Sequence, residues 1–145
     1  MRHISEDEIR QLMTEMKWGT LIAIDEGQPY AIETSFATDD NFLYTGSKFD
    51  GRMNKCIEKN PTVSFKICNS PKDAKIYKAA IVESQARILS ERDEIVQCLH
   101  IIYNKLGLPE SRIEEKADQF AAKKGSLSLY RIPLQKLGGV ASGKS

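Results

Sequence analysis

The chain has 145 residues and a mass of 16.3 kDa, the size of one ordinary domain and enough to bury a core without disulfides or a structural metal. Its 41% hydrophobic and 28% charged residues match soluble globular proteins, and no apolar run approaches the ~18 residues needed to span a bilayer. Twenty-one Lys and Arg against twenty Asp and Glu leave a net charge of +1, which argues against attachment to nucleic acid or anionic lipid by bulk charge.

The opening MRHISEDEIRQLM lacks the apolar stretch and cleavage site of a secretory signal, so a cytoplasmic protein is expected. Ser5 and Glu8 have the form of a capping box, and Ile9, Leu12, Met13 and Met16 recur at helical spacing, predicting an amphipathic helix to about Lys17. From Gly19 the runs TLIAI, PYAIETSFA and FLYTG alternate with the turn-like DEGQ and TDDN, a three-strand meander. Asp50 and Gly51 open a short helix with Met53, Cys56 and Ile57 on one face, ended by Asn60-Pro61. TVSFKI and a longer β-type stretch around KAAIVESQARIL follow. Ile95, Val96, Leu99, Ile102, Tyr103 and Leu106 then define the clearest helix, stopped by Gly107. A more charged helix over 110–123 and a last strand, SLSLYRIPL, complete the order, and GGVASGKS reads as a flexible tail. The expected class is antiparallel α+β, with one domain over 1–137 and a tail over 138–145.

Several chemistries lack support. Cys56, Cys68 and Cys98 form an odd set without CxxC spacing and are expected to be free thiols. His3 and His100 have no partners at metal-ligand spacing, so no metal site is expected. No GxSxG, HExxH or GxGxxG motif appears. Gly138, four residues later Gly143, then Lys144 and Ser145 match the GxxxxGK[ST] expression, but no helix follows to cradle phosphate, so the match reads as accidental. Asp39 and Asp40 sit in a turn, where Asp is favoured for its hydrogen bonds to backbone.

The segment 45–65 differs. Residues 46–59 carry Lys48, Arg52, Lys55 and Lys59 against Asp50 and Glu58, beside Ser47 and at a strand-to-helix junction. Small hydroxyls, amides near Gly51 and Arg52, and a helix N-terminus together suit a phosphate monoester. A solvated basic helix face fits the same residues.

The meander, then GRMNKCIEKNPTVSF, then AAIVESQARIL, resembles the pyridoxamine 5′-phosphate oxidase-like family of FMN-binding split barrels over roughly residues 1–135. The likeness rests on Pro29-Tyr30, Tyr44-Thr45, Gly51-Arg52-Met53, Asn60-Pro61 and Thr62 to Phe65, in that order and spacing. It implies a six-stranded antiparallel split β-barrel with flanking helices, a homodimer, and FMN in clefts at the subunit interface. By position, Glu33, Thr34 and Ser35 would edge the isoalloxazine ring, Thr45, Ser47, Lys48, Arg52 and Lys55 would take the ribityl chain and phosphate, and Met53 is counted with them among the cofactor-binding positions. Family members often carry two consecutive bases where this chain has Arg52 then Met53, which leaves Lys48 or Lys55 as candidates for the missing contact.

The Arg- and His-containing signature of true pyridoxamine phosphate oxidases is absent near the C-terminus, and Gly143-Lys144 is similar to a tail of nitroimidazole-reductase-like branches. The implied function is therefore reduction of a small planar acceptor by bound FMN, with orientation and electrostatics supplied by the protein. Two alternatives stay open: a deazaflavin-dependent reductase that recruits Lys72, Lys75 and Lys78, and a non-catalytic flavin-binding protein.

Overall fold

A computed structural model describes residues 1–70, 75–123 and 127–142. After a two-residue strand β1 (Arg2–His3), helix α1 (Glu6–Glu15) is capped by the Ser5 hydroxyl, which accepts the Glu8 N–H at 3.2 Å. Strands β2 (Trp18–Asp25) and β3 (Gln28–Thr38) are joined by Glu26-Gly27 alone, with φ of 51° and 83°. Both left-handed values are what a two-residue type I′ hairpin turn requires. The Asp39 carboxylate closes the next turn by accepting the N–H groups of Asn41 and Phe42 at 2.9 and 2.7 Å, so Asp39 has the structural role expected of it.

The chain continues through β4 (Phe42–Lys48), α2 (Arg52–Lys59), β5 (Thr62–Asn69), β6 (Lys78–Gln85) and β7 (Arg87–Ile88). Helix α3 (Arg92–Leu106) ends at Gly107, whose φ of 69° terminates it, and a 3₁₀ turn over Glu110–Arg112 leads into α4 (Ile113–Ala121). Strands β8 (Leu127–Pro133) and β9 (Leu137–Ala141) follow.

All described strand pairs are antiparallel, in the order β1-β9-β6-β5-β2-β3-β4-β8-β7. The antiparallel α+β expectation holds, and its six strands are the long ones, β2 to β6 and β8. The count differs by three short additions. β1 is too short to leave a periodic signal. The single strand expected around KAAIVESQARIL divides at Ala86: its N–H donates to the carbonyl of Pro61, the next residue in the β5–β6 register, at 2.8 Å, but Pro61 has no N–H to return, and Arg87 and Ile88 pair with β8 instead. The tail expected from Gly138 instead begins as β9, which pairs β6 from Val82↔Leu137 to Lys78↔Ala141. Gly139 suits this packing because a Cβ there would stand 2.8 Å from Ile4 Cγ1 and 3.0 Å from the Ala79 carbonyl oxygen. The rest of the GKS motif, Gly143 to Ser145, lies outside the described residues.

Both halves of the sheet face one core. Leu21, Phe65, Ile67 and Val82 from one half meet Leu43, Tyr130 and Ile132 from the other, with Phe36 and Phe65 rings 5.1 Å apart. Helices α1 and α2 add Ile9, Leu12, Met13, Met53 and Ile57 to this core. The edges β1 and β7 do not pair, so the barrel stays open. A second core joins Ile95, Cys98 and Leu99 of α3 and Ile113 and Ala117 of α4 to the outer side of β4 and β8, at Tyr44 and Leu129. Among the described residues no helix is long and apolar enough to cross a membrane.

Candidate functional site

Strands β3 and β4 pair over Thr38↔Leu43, Ala37↔Tyr44 and Phe36↔Thr45, and then part. β3 carries on along β2 while β4 carries on along β8. Threonine hydroxyls bridge the parting: Thr45 Oγ1 donates to the Ser35 carbonyl at 2.7 Å and Thr34 Oγ1 to the Gly46 carbonyl at 2.9 Å.

A cleft of about 610 Å³ opens over this seam, within the roughly 300–1,000 Å³ usual for small-molecule and cofactor sites. Its floor is Ile32, Glu33, Thr34 and Ser35 of β3 with Gly46, Ser47 and Lys48 of β4; its apolar wall is Leu99, Ile102 and Tyr103 of α3 with Phe120 of α4. Trp18 stands at the rim, 60% exposed. Lys48 and Lys116 bring positive charge, and the Glu33 carboxylate is already engaged by the Thr20 hydroxyl. Helix α3 is fixed over the cleft in part by Lys105, whose ammonium donates to the Met13 carbonyl at 2.9 Å and lies 3.8 Å from the Phe36 ring centre. Burial, with Lys17 nearby, pushes Lys105 down to about 8.

Ser47 is held from behind. Its hydroxyl bonds the Tyr130 hydroxyl, Tyr130 donates to Asn54 Oδ1 at 2.9 Å, and Asn54 Nδ2 donates to Glu58 Oε1 at 2.8 Å. The direction of this chain is set at its far end: a carboxylate only accepts, so Asn54 presents its oxygen to Tyr130, and Tyr130 gives its proton to Asn54. Ser47 is then the donor to Tyr130, and its proton is committed inward. Burial raises Tyr130 to about 12, against the lowering effect of Ser47.

The structure brings Glu33, Thr34, Ser35, Ser47 and Lys48, which the resemblance grouped by position, together at the cleft. Thr45 is fully buried beneath the seam and acts on it through its hydroxyl. Three other residues expected with them lie elsewhere. Met53 is in the core, 2% exposed, because it is on the apolar face of α2. Arg52 turns to the β2–β3 hairpin, where its Nε donates to Asp25 Oδ2 at 2.7 Å and its guanidinium lies 4.0 Å from the Tyr30 ring centre. Lys55 pairs with Asp50 at 3.8 Å, and with Arg52 lines a separate hollow of about 350 Å³. Lys78 pairs with Glu8 of α1 at 3.8 Å and is not at the cleft; Lys72 lies outside the described residues.

Sequence reasoning did not assign Trp18, Tyr103 or Phe120 to the site. Tyr103 carries a helical-periodicity signal that marked it only as core, and no local signal places Trp18 or Phe120 across from β4.

The family model for pyridoxamine 5′-phosphate oxidase matches residues 5–140. No curated protein matches the sequence. Among solved structures, the chain is similar to an FAD-binding protein from Mesorhizobium loti, with 22% identity, TM-score 0.76, and coverage of 99% of this chain and 97% of that one. A candidate 5-nitroimidazole antibiotic resistance protein from Bacteroides thetaiotaomicron gives 15% identity, TM-score 0.78, and coverage of 99% and 90%. An FAD-binding protein from Mycobacterium smegmatis gives 12% identity, TM-score 0.68, and coverage of 98% of each chain. At these identities the likeness establishes the fold.

Proposed function

Because the chain belongs to the pyridoxamine 5′-phosphate oxidase-like family, a family of flavin-binding proteins, we propose that it is an FMN-dependent oxidoreductase that reduces a small planar acceptor in the cleft over the β3–β4 seam. The observation that carries this reading is the cleft itself, which joins apolar and aromatic walls to a polar strand edge and a lysine at one end. A flat heteroaromatic ring with an anionic tail suits that donor set. Ile32, Leu99 and Phe120 offer surfaces for the ring, Glu33, Thr34 and Ser35 face its edge, and Lys48 attracts the phosphate. Ser47 is not a donor to that phosphate, since its proton is committed to Tyr130.

Bound flavin supplies hydride or electron transfer, and the protein supplies proximity, orientation and exclusion of water. No acid–base pair is required of the chain. The likeness to FAD-binding proteins supports a flavin, and the likeness to a candidate nitroimidazole resistance protein supports a nitroaromatic among the acceptors. A C2 homodimer belongs to the same proposal, supported by Trp18 and Ile24 exposed and Ile22 and Ile81 half-buried along the outer side of the barrel. So does a cytoplasmic setting, supported by three free cysteines, two of them buried.

The test is anaerobic stopped-flow mixing of the reduced, flavin-loaded protein with nitroimidazoles and quinones. Reoxidation faster than that of free reduced FMN is expected. Rates no faster than free FMN across the panel would leave a flavin-binding protein without reductase activity.

A further inference from the structure

We infer that Lys116 of α4, with Gln119 beside it, determines which acceptor the cleft takes, and that this acceptor is a planar compound carrying a carboxylate. The inference rests on the reading of the cleft as a flavin and acceptor site, and it names the substrate class.

Helix geometry leaves Lys116 without a local counter-ion. Its neighbours three and four residues away are Arg112, Ile113, Gln119 and Phe120, none of them acidic. The carboxylates of α4 lie on other faces and already have basic partners: Glu114 and Asp118 share Arg92, and Glu115 pairs with Arg112 at 3.8 Å. Ile113 and Ala117 hold the helix on the second core, and with that face fixed, positions 116, 119 and 120 line the cleft. Lys116 is half-buried there, and among the described residues it enters no ion pair. Partial removal of an ammonium from water is unfavourable, and no carboxylate of the fold offsets it. An anionic ligand would.

The charged side chains lining the cleft are Glu33, Lys48 and Lys116, and Glu33 is engaged by Thr20. The two lysines stand apart, one on the β4 floor and one on the α4 wall. Leu127 opposes Lys48 in the β4–β8 register, and Phe120 shares with Leu127 and Phe49 an adjoining hollow of about 430 Å³. The last turn of α4 therefore marks the Lys48 end of the cleft. Lys116 lies one turn back, about 6 Å along the helix axis, towards the corner from which Leu106 and Leu108 also line the cleft. A flavin phosphate held at Lys48 leaves Lys116 for a second anionic group. Its ammonium and the amide N–H groups of Gln119 suit the two oxygens of a carboxylate, and Tyr103 and Phe120 offer surface to the ring that bears it.

The test compares para-nitrobenzoate with para-nitrobenzamide, which has nearly the same shape and no charge. Binding to the oxidised, FMN-loaded protein is followed without turnover, by flavin absorbance and by quenching of Trp18, the one tryptophan, at the rim of the cleft. Wild type is expected to bind the benzoate more tightly than the benzamide. Lys116→Gln should weaken the benzoate about fivefold, the scale of one partly exposed ion pair, and leave the benzamide and FMN within about twofold. Lys116→Arg should keep the preference. Should Lys116→Gln fail to fold, Lys116→Met removes the same charge and keeps an apolar stem.

Absence of a preference in wild type, or equal weakening of both compounds in Lys116→Gln, would overturn the inference. So would a loss of FMN affinity in Lys116→Gln with the preference intact, which would assign both lysines to the phosphate while the flavin reading stood. Absence of FMN binding to wild type would sink the flavin reading instead. The inference would then be decided in flavin-free protein, by Trp18 quenching with the same two compounds in wild type and Lys116→Gln.

Discussion

Tyr130→Phe removes one hydroxyl from a side chain with no solvent exposure, set between Ser47 at 8% and Asn54 at 4%. The substitution leaves Ser47 without an acceptor and Asn54 Oδ1 without a donor. Each net hydrogen bond contributes about 1 kcal/mol, and a buried group stranded without a partner costs about 1–3 kcal/mol, so a loss of about 2–3 kcal/mol is expected. For a chain of this size that corresponds to a fall in Tm of roughly 4–12 °C. Urea unfolding with an unchanged m-value is the direct assay. Ser47→Ala should cost less, about 1 kcal/mol, because Tyr130 still donates to Asn54. The double variant should cost little more than Tyr130→Phe alone, since both changes act on one network. A loss below about 0.5 kcal/mol for Tyr130→Phe would refute the claim that this chain of hydrogen bonds is buried and satisfied.

Tyr130 and Tyr44 are both raised to about 12, mainly by burial; the unfolded chain sheds these protons near 10, so stability should be intact below pH 10 and fall through pH 12, less steeply in Tyr130→Phe. Lys105 has the opposite sign: the folded state gives up its proton near 8 and the unfolded chain near 10.5, so this group should make stability rise between those pH values, and Lys105→Met should remove that slope in urea titrations at stepped pH. Gly19→Ala should destabilise by about 1–3 kcal/mol, as overpacking does, because its Cβ would lie 2.7 Å from the Lys66 carbonyl oxygen and 2.3 Å from Phe65 Cε1. Thermal unfolding checks it. For FMN, Lys48→Ala should weaken binding about tenfold while Arg52→Ala, already paired with Asp25, should change it less than threefold; the reverse order in fluorescence titration would place the phosphate in the hollow beside the hairpin.

Periodicity carried most of the fold. The apolar residues of α1 and α3 recur at helical spacing, and the hairpin of β2 and β3 announces itself through Glu26-Gly27. β9 was not legible because Gly138 and Gly139 read as turn residues. At Gly139 the missing side chain answers to Ile4, some 135 residues away in the chain, and no local pattern reports such a contact. The division at Ala86 likewise depends on a residue distant in sequence, Pro61, which opposes it in the register and has no N–H to offer.

Within the site, residues 33–35 were grouped with 47–48 through the resemblance to a known family, and it is the antiparallel course of β3 and β4 that brings them to one cleft. Arg52 was grouped with them on charge and proximity in sequence, but its direction is decided by Asp25 and Tyr30, across the meander. The aromatic side chains of α3 and α4 that face the seam depend on how two helices dock on β4 and β8. Helical periodicity marks them as apolar without saying what they cover.

Titration of the flavin-free protein with FMN, followed by flavin absorbance and fluorescence, tests the central claim most directly. Saturation at one FMN per chain, with a perturbed ring spectrum and weaker binding in Lys48→Ala, is the predicted result. A spectrum indistinguishable from free flavin, with FMN and with FAD alike, would contradict the account.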